Sequence, residues 1–475
     1  MSILEPLSQP LFWPYFFYIA LVLAAVLHML YQRRTPQNLM AWLLALLLLP
    51  FLGVLLYVLF GSRKFLAKRK IPEIIIEPIS TTHSSPTQSN PLSHQLNQLL
   101  QANQIASTTH NNHCKIYDDA TEIYTQFMTE IERAQTSIHL QTYIFQLDET
   151  GLAILNALTK KAQQGIEVRL LMDAIGSFEL YKNQKKLNHF VQSGGQYAFF
   201  QPLLKSLLNS QINLRNHRKI YLFDQQTLIT GGINLSNEYL GSAASRPITG
   251  RWKDLMLKIT GPATTHHQCI FNADWLYTTA EKLPLMQPNL ALPHTPQAVS
   301  VQTIPSGPDI HNDPLFESLL HCIYNAKNSI QLVSPYFIPD SSIMNALLIA
   351  IKRGVTVSLV TPQKSDHLLF DIGRTSYIRE LVEQGGYVYL DQSPMLHAKL
   401  ILIDQTCLII GSANLDYRSL FINHEIVNIL YDLEHIKQMQ TWVQALQESS
   451  LPYQPNNNKR YRLLENFSRI FTPLL

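Results

Sequence analysis

The chain has 475 residues, 46% of them hydrophobic and only 15% charged, which is enough for two or three domains with cores of their own. A formal net charge of +3 is too small to indicate a nucleic-acid partner. Cys114, Cys269, Cys322 and Cys407 are scattered without a Cys-x-x-Cys pair, and the clusters His110/His113/Cys114 and His266/His267/Cys269 lack a second ligand pair, so neither a disulfide framework nor a metal site is expected.

Residues 12–31 form a nearly unbroken apolar run, and residues 39–60 form a second. Each has the length of a helix that crosses a hydrocarbon core. Trp13, Tyr15, Tyr18 and Tyr31 suit interfacial anchoring. The first run has no basic segment before it and no small-x-small site after it, unlike a cleaved signal peptide. Pro50 and Gly53 in the second run are tolerable in a membrane helix. A transmembrane helical hairpin over 1–61 is therefore expected. Arg63, Lys64, Lys68, Arg69 and Lys70 follow it and predict that the bulk of the chain is cytoplasmic, although Arg33 and Arg34 between the runs pull the other way. The same basic residues favour anionic head groups.

Residues 62–112 read as a basic juxtamembrane segment and a polar tether, with a short helix over 93–104 capped by Ser93. Residues 283–299, with Pro284, Pro288, Pro293 and Pro296, read as a linker between domains at 113–282 and 300–475. The two flanking regions repeat one another. Ala134-Gln-Thr-Ser137 leading to Tyr143-Ile-Phe145 matches Ala326-Lys-Asn-Ser329 leading to Pro335-Tyr-Phe337. Apolar strands entered through Gly165 and Gly354 follow, then Gly194-Gly195 and Gly385-Gly386. Strands alternating with helical stretches predict two α/β domains, each a sheet flanked by helices.

The repeat is strongest at His217-Arg-Lys219, with Asp224 and then Gly231-Gly232-Ile-Asn234. It recurs at His397-Ala-Lys399, with Asp404 and then Gly411-Ser412-Ala-Asn414. Residues two apart on a strand share a face, so each histidine lies beside its lysine. One such motif alone would read as a core histidine with a snorkelling lysine. Two at matched positions read as a phosphate pocket, with lysine charge, asparagine and backbone amides around it. Phosphodiester transfer needs a nucleophile on one side of phosphorus and an acid on the other, and one histidine from each half supplies both. The lysines offset the transition-state charge, so no metal or other cofactor is expected.

These motifs resemble the signature of the phospholipase D superfamily, HxK(x)4D(x)6G(S/G)xN. With the apolar N-terminus, Trp42, Pro50, Gly53, Asp173-Ala-Ile-Gly176-Ser177, Trp252-Lys-Asp254 and Asn423-His-Glu425, the whole chain is most similar to bacterial cardiolipin synthases with two N-terminal spans. The resemblance implies two homologous domains of mixed sheet and helix about a pseudo-twofold axis. It implies phosphatidyl transfer between phosphatidylglycerol molecules in an anionic bacterial inner membrane, by way of a phosphatidyl-histidine.

His217 would be the nucleophile and His397 the acid that becomes the base, though the symmetry leaves the reverse open. Lys219, Lys399, Asn234, Ser412 and Asn414 would hold phosphate, and Asp254 and Glu425 would orient the histidines. Asp224 and Asp404, the remaining motif residues, look structural at the strand-to-turn junction. Gly232 stands where the other half has Ser412, which makes the halves unequal. A hydrolase or a transferase with another alcohol acceptor is the alternative. A nuclease fits less well, given the membrane segment and the lack of an extended basic stripe.

Overall fold

The computed structural model describes residues 12–31, 36–61, 91–208, 211–241, 250–284, 298–456 and 458–469. Arg33, Arg34, the basic residues 63–70, the first part of the tether and most of the linker expected at 283–299 lie outside the described residues.

The first apolar run is one helix, α1 (Phe12–Tyr31). Its stretch from Trp13 to Tyr31, with mean hydropathy 1.8, is the one among the described residues that is long and apolar enough to cross a membrane. The second run is not a single helix. It divides into α2 (Pro36–Leu48) and α3 (Leu52–Phe60), with Phe51 between them at φ 62°. Pro50 has no N–H to offer the Leu46 carbonyl one turn back. That carbonyl accepts the Tyr18 hydroxyl of α1 instead.

After residue 90 the chain is more ordered than its polar composition suggests. Helix α4 (Pro91–Ala102) starts at a proline, so Ser93 lies inside it and is not its cap. Its apolar spacing buries Leu92, Leu96 and Leu100 in the core of the second half, against Leu315 and Leu319.

Seven strands follow in the first half: β1 (Thr109–Tyr117), β2 (Ser137–Thr142), β3 (Glu167–Asp173), β4 (Gln196–Phe200), β5 (Ile220–Phe223), β6 (Thr227–Gly231) and β7 (Met256–Thr260). The second half has β8 (Val299–Ser306), β9 (Ser329–Val333), β10 (Phe337–Ile338), β11 (Thr356–Pro362), β12 (Tyr387–Asp391), β13 (Leu400–Ile403), β14 (Cys407–Gly411), β15 (Leu415–Asp416), β16 (Glu425–Leu430) and β17 (Leu451–Pro452). All but β10 and β15 join one sheet, in the order β17-β12-β11-β9-β13-β14-β16-β8-β1-β7-β6-β5-β2-β3-β4.

Outward from the antiparallel β8–β1 seam, the two directions match strand for strand: β16 with β7, β14 with β6, β13 with β5, β9 with β2, β11 with β3, β12 with β4. This is the pseudo-twofold pair of domains. Strands β2-β3-β4 and β9-β11-β12 are parallel, the pairings inward of them are antiparallel, and the short β17 adds antiparallel to the outer edge of β12. A core containing Ile116, Leu257, Val301 and Ile426 runs across the seam, and helices Ala263–Thr279 and Leu433–Ser449 pack on it through Ile270, Trp275, Ile436 and Val443. Gly165 and Gly354 close the preceding helices at φ 82° and 88°, a backbone region that glycine enters without penalty.

The motif aspartates explain why Ala134-Gln-Thr-Ser137 is repeated at 326–329. The Asp224 carboxylate accepts the backbone N–H groups of Gln135, Thr136 and Ser137 at 2.9, 2.7 and 3.0 Å. Asp404 accepts those of Lys327, Asn328 and Ser329 at 2.9, 2.7 and 2.7 Å. Both are clamps on the turn entering β2 or β9. Asp404→Asn replaces a charged acceptor of three amides and should cost about 1–3 kcal/mol. Thermal melting should show the loss, and turnover by the folded variant should stay near that of the parent.

Candidate active site

Each HxK segment meets the other half of the molecule along its backbone. The His217 N–H donates to the His424 carbonyl at 2.9 Å, and the His424 N–H donates to the Arg215 carbonyl at 2.9 Å. On the other side of the axis, the His397 N–H donates to the Lys253 carbonyl at 2.7 Å and the Lys253 N–H donates to the Met395 carbonyl at 2.8 Å. These short parallel bridges, Asn216 with His424 and Lys253 with Leu396, place the carboxylate of one half behind the histidine of the other. His217 Nδ1 lies 3.3 Å from Glu425 Oε1, and His397 Nδ1 lies 2.6 Å from Asp254 Oδ2. The orienting pairs are therefore crossed, and each carboxylate meets Nδ1 of its imidazole.

The lysines pack against their own histidines. Lys219 Nζ donates to the His217 carbonyl at 2.8 Å, and Lys399 Nζ stands 3.0 Å from His397 Nε2. Burial holds both ammonium groups below the ordinary lysine range, Lys219 at about 8 and Lys399 at about 7, against the opposing pull of Glu425 and Asp254. Burial also lowers both histidines, His397 to about 4 with a further push from Lys399, while the carboxylates oppose the shift. Burial alone would raise Glu425, but His217, then Lys219 and the Ser412 hydroxyl, hold it below its ordinary value.

Ser412, expected to contact phosphate, is held against a carboxylate. Its hydroxyl donates to Glu425 Oε2 at 2.5 Å and accepts the Ile426 N–H at 3.0 Å. Gly232 is its mirror position, and a Cβ built there would meet Asp254 Oδ1 at 2.3 Å. The shorter carboxylate sits where the serine hydroxyl stands in the other half. Serine with glutamate and glycine with aspartate are two packings of one corner. The Asn234 Oδ1 accepts the Ile144 N–H at 3.2 Å. Asn414 Oδ1 is buried with no hydrogen-bond partner among the described residues, and Asn414 lines a small cavity with Lys399 and Ser334.

Several neighbours have no role assigned by the motif, although Tyr143, Ser177 and Trp252 lie in segments already singled out in the sequence. The Tyr143 ring is 4.0 Å from that of His217, and Ser177 fixes its loop by donating to the Tyr143 carbonyl and accepting the Phe145 N–H. Tyr239 and Trp252 lie 5.1 and 5.4 Å from His397. Arg218, the variable residue of the first HxK, is fully buried at the junction of the halves. It pairs with Asp274 and Asp309 at 2.9 Å each and donates to the carbonyls of Ser306 and Glu425 at 3.1 and 3.2 Å. Asp274, Asp309 and His424 come within ligating distance of one another, but the guanidinium bonded to both aspartates makes this an ion-pair junction. Ala398 takes the equivalent place in the second half.

A family model described as cardiolipin synthase, PLD-like domain, matches residues 127–275 and 319–447. This chain belongs to the cardiolipin synthase family of phospholipase D-like proteins. A second model, Phospholipase_D-nuclease N-terminal, matches residues 20–62. Cardiolipin synthase 1 of Bacillus cereus is 32% identical, over 94% of this chain and 90% of that protein. The major cardiolipin synthase of Bacillus subtilis is 31% identical over 97% and 98%, and the Staphylococcus aureus cardiolipin synthase 33% over 94% and 92%. The fold is similar to a phosphatidylserine synthase from Haemophilus influenzae, with TM-score 0.57 and 14% identity over 80% of this chain and 100% of that one. With an apolar N-terminal helix of membrane-crossing length and a match to this N-terminal model, the protein is membrane-associated.

Two predictions follow from this geometry. Gly232→Ser should displace Asp254 from His397 and lower kcat by at least about 10-fold in a protein that still folds, read by steady-state turnover. The depressed lysines imply an alkaline limit well below that of free lysine, because the charge that attracts phosphate is lost as pH rises through about 7 to 8. A profile of kcat/KM against pH should fall over that interval and not near 10.

Proposed function

We propose that the protein transfers a phosphatidyl group from one phosphatidylglycerol to a second, forming cardiolipin and releasing glycerol. The crossed histidine–carboxylate pairs carry this reading, since they bring one imidazole from each half to a site that Lys219 and Lys399 share. His217 Nε2 attacks phosphorus while the P–O bond to glycerol breaks, and His397 Nε2 gives its proton to the departing oxygen. The acceptor hydroxyl then attacks phosphorus, passes its proton to His397, and the P–N bond breaks.

His397 suits the proton-shuttling role because its carboxylate is the closer, at 2.6 Å against 3.3 Å for His217. Burial is the first cause that depresses His397 in the free enzyme and Lys399 the second; donor phosphate offsets Lys399, and Asp254 favours the imidazolium against the burial. Lys219, Lys399 and Asn414 surround the non-bridging oxygens, so side chains supply the charge stabilisation.

Transfer must win against water at roughly 55 M, which requires an acceptor held close to phosphorus. Anchoring at an anionic bilayer confines the site to a surface dense in acceptor. The basic residues 63–70 favour the cytoplasmic side of the bacterial inner membrane for the catalytic halves.

The test is full-length enzyme in phosphatidylglycerol vesicles with products read by mass spectrometry. Cardiolipin and glycerol should dominate over phosphatidic acid. Phosphatidic acid as the main product would make the protein a hydrolase. His217→Ala and His397→Ala should each lower turnover by about 10³-fold or more without unfolding the protein. Near-parental activity in either would overturn the shared site.

A further inference from the structure

The α2–α3 segment does not continue in one direction. Gly53 is packed so closely on α2 that a Cβ there would meet the Ala45 carbonyl oxygen at 2.6 Å and the Leu46 Cα at 2.9 Å. Eight residues of straight helix would separate Gly53 from Ala45 by roughly 12 Å. The rings of Trp42 and Tyr57, fifteen residues apart, lie 5.2 Å from each other. These contacts nest symmetrically about Pro50, so α3 runs back antiparallel along α2.

Helix α1 supplies a ruler. Its Tyr18 touches the bend, with its hydroxyl on the Leu46 carbonyl and its ring 5.0 Å from that of Phe51. Ten residues further along, His28 Nδ1 lies 2.6 Å from the Tyr57 hydroxyl. The closed tip of the pair is therefore level with Tyr18, and its open ends are level with the Tyr31 end of α1. The 13 residues of α2 and 9 of α3 are roughly 20 and 14 Å long, against a hydrocarbon core of roughly 30 Å. The 20 residues of α1 match that core. The inward face of the pair is closed by Trp42, Ala45, Leu46, Val54 and Tyr57 in one cluster with Ala25 and Met29. Its outward face exposes Leu47, Leu48, Phe51, Leu52, Leu55 and Val58.

We propose that α2 and α3 form a re-entrant wedge seated in one leaflet of the bilayer, and that the chain crosses the membrane once, through α1. Charge supports this independently of the packing. Two complete spans would place Arg33 and Arg34 on the side opposite Arg63, Lys64, Lys68, Arg69 and Lys70, which divides the basic residues across the membrane. A wedge returns residues 32–35 and the segment after Gly61 to the same side. All seven basic residues then face one leaflet, and the segment before α1, which has Glu5 and no lysine or arginine, faces the other. The exposed apolar residues of the wedge meet acyl chains, and the flanking basic residues meet anionic head groups.

Cysteine accessibility in intact cells separates the two arrangements. Ser2→Cys, Thr35→Cys and Ser85→Cys flank the successive segments, and each variant should retain cardiolipin-forming activity because none touches the catalytic halves. With a membrane-impermeant thiol reagent, Ser2→Cys should label in intact cells. Thr35→Cys and Ser85→Cys should label only after permeabilisation. Thr35 and Ser85 reporting opposite sides would overturn the wedge, whichever side carries the catalytic halves and whatever acceptor the enzyme uses. Ser2 reporting the same side as both would overturn the single crossing.

Discussion

Everything at the site depends on the two short backbone bridges across the molecular axis, Asn216 to His424 and Lys253 to Leu396. They fix the register between halves to one residue, and that register decides which carboxylate stands behind which imidazole. Neither domain contains a complete histidine pair by itself. Glu425 would have no imidazole without the first half, and Asp254 none without the second. The continuous sheet and the Arg218 junction hold this register in place from below, one through strand hydrogen bonds and the other through a buried cation shared by both halves.

The burial that makes the site reactive is also what makes this arrangement exacting. A guanidinium, two ammonium groups and several carboxylates are withdrawn from water within a small volume, and each uncompensated charge there is costly. Compensation is local and paired. Asp309 would be pushed up by burial but is held well below the ordinary carboxylate range by Arg218 and then His424. The lysines are left only partly compensated, so burial holds both below the ordinary lysine range.

The duplicated motif was legible because its chemistry lies within a few residues of sequence and occurs twice. His217 with Lys219, and His397 with Lys399, were legible as neighbours from their i, i+2 spacing, although the structure places both pairs in extended segments just ahead of β5 and β13 and not within them. The crossing of Asp254 and Glu425 was not legible, since it arises from contacts about 140 and 210 residues apart in sequence. The bond of Ser412 to Glu425 was not legible for a related reason: the two meet through the pairing of β14 with β16. Arg218 stood inside the motif at a position that tolerates alanine in the other half, so spacing gave no hint of its role. In the apolar N-terminus, composition identified the second run, but a single proline and a positive φ at Phe51 decided its shape. Helix α4 was visible as a periodic stretch, whereas its docking on the second half was not.

The Arg218 junction also bears on how the protein is made. The first half leaves the ribosome with Arg218 and Asp274 in place, while Asp309 and the carbonyls of Ser306 and Glu425 are still to be synthesised. Strand β1 likewise lacks its neighbour β8, so the nascent first domain presents an open sheet edge beside a half-satisfied buried cation. The α4 segment, translated earlier still, has its apolar face uncovered until Leu315 and Leu319 arrive about 200 residues later. The order of translation therefore gives the nascent chain a long interval in which it is sticky and incomplete.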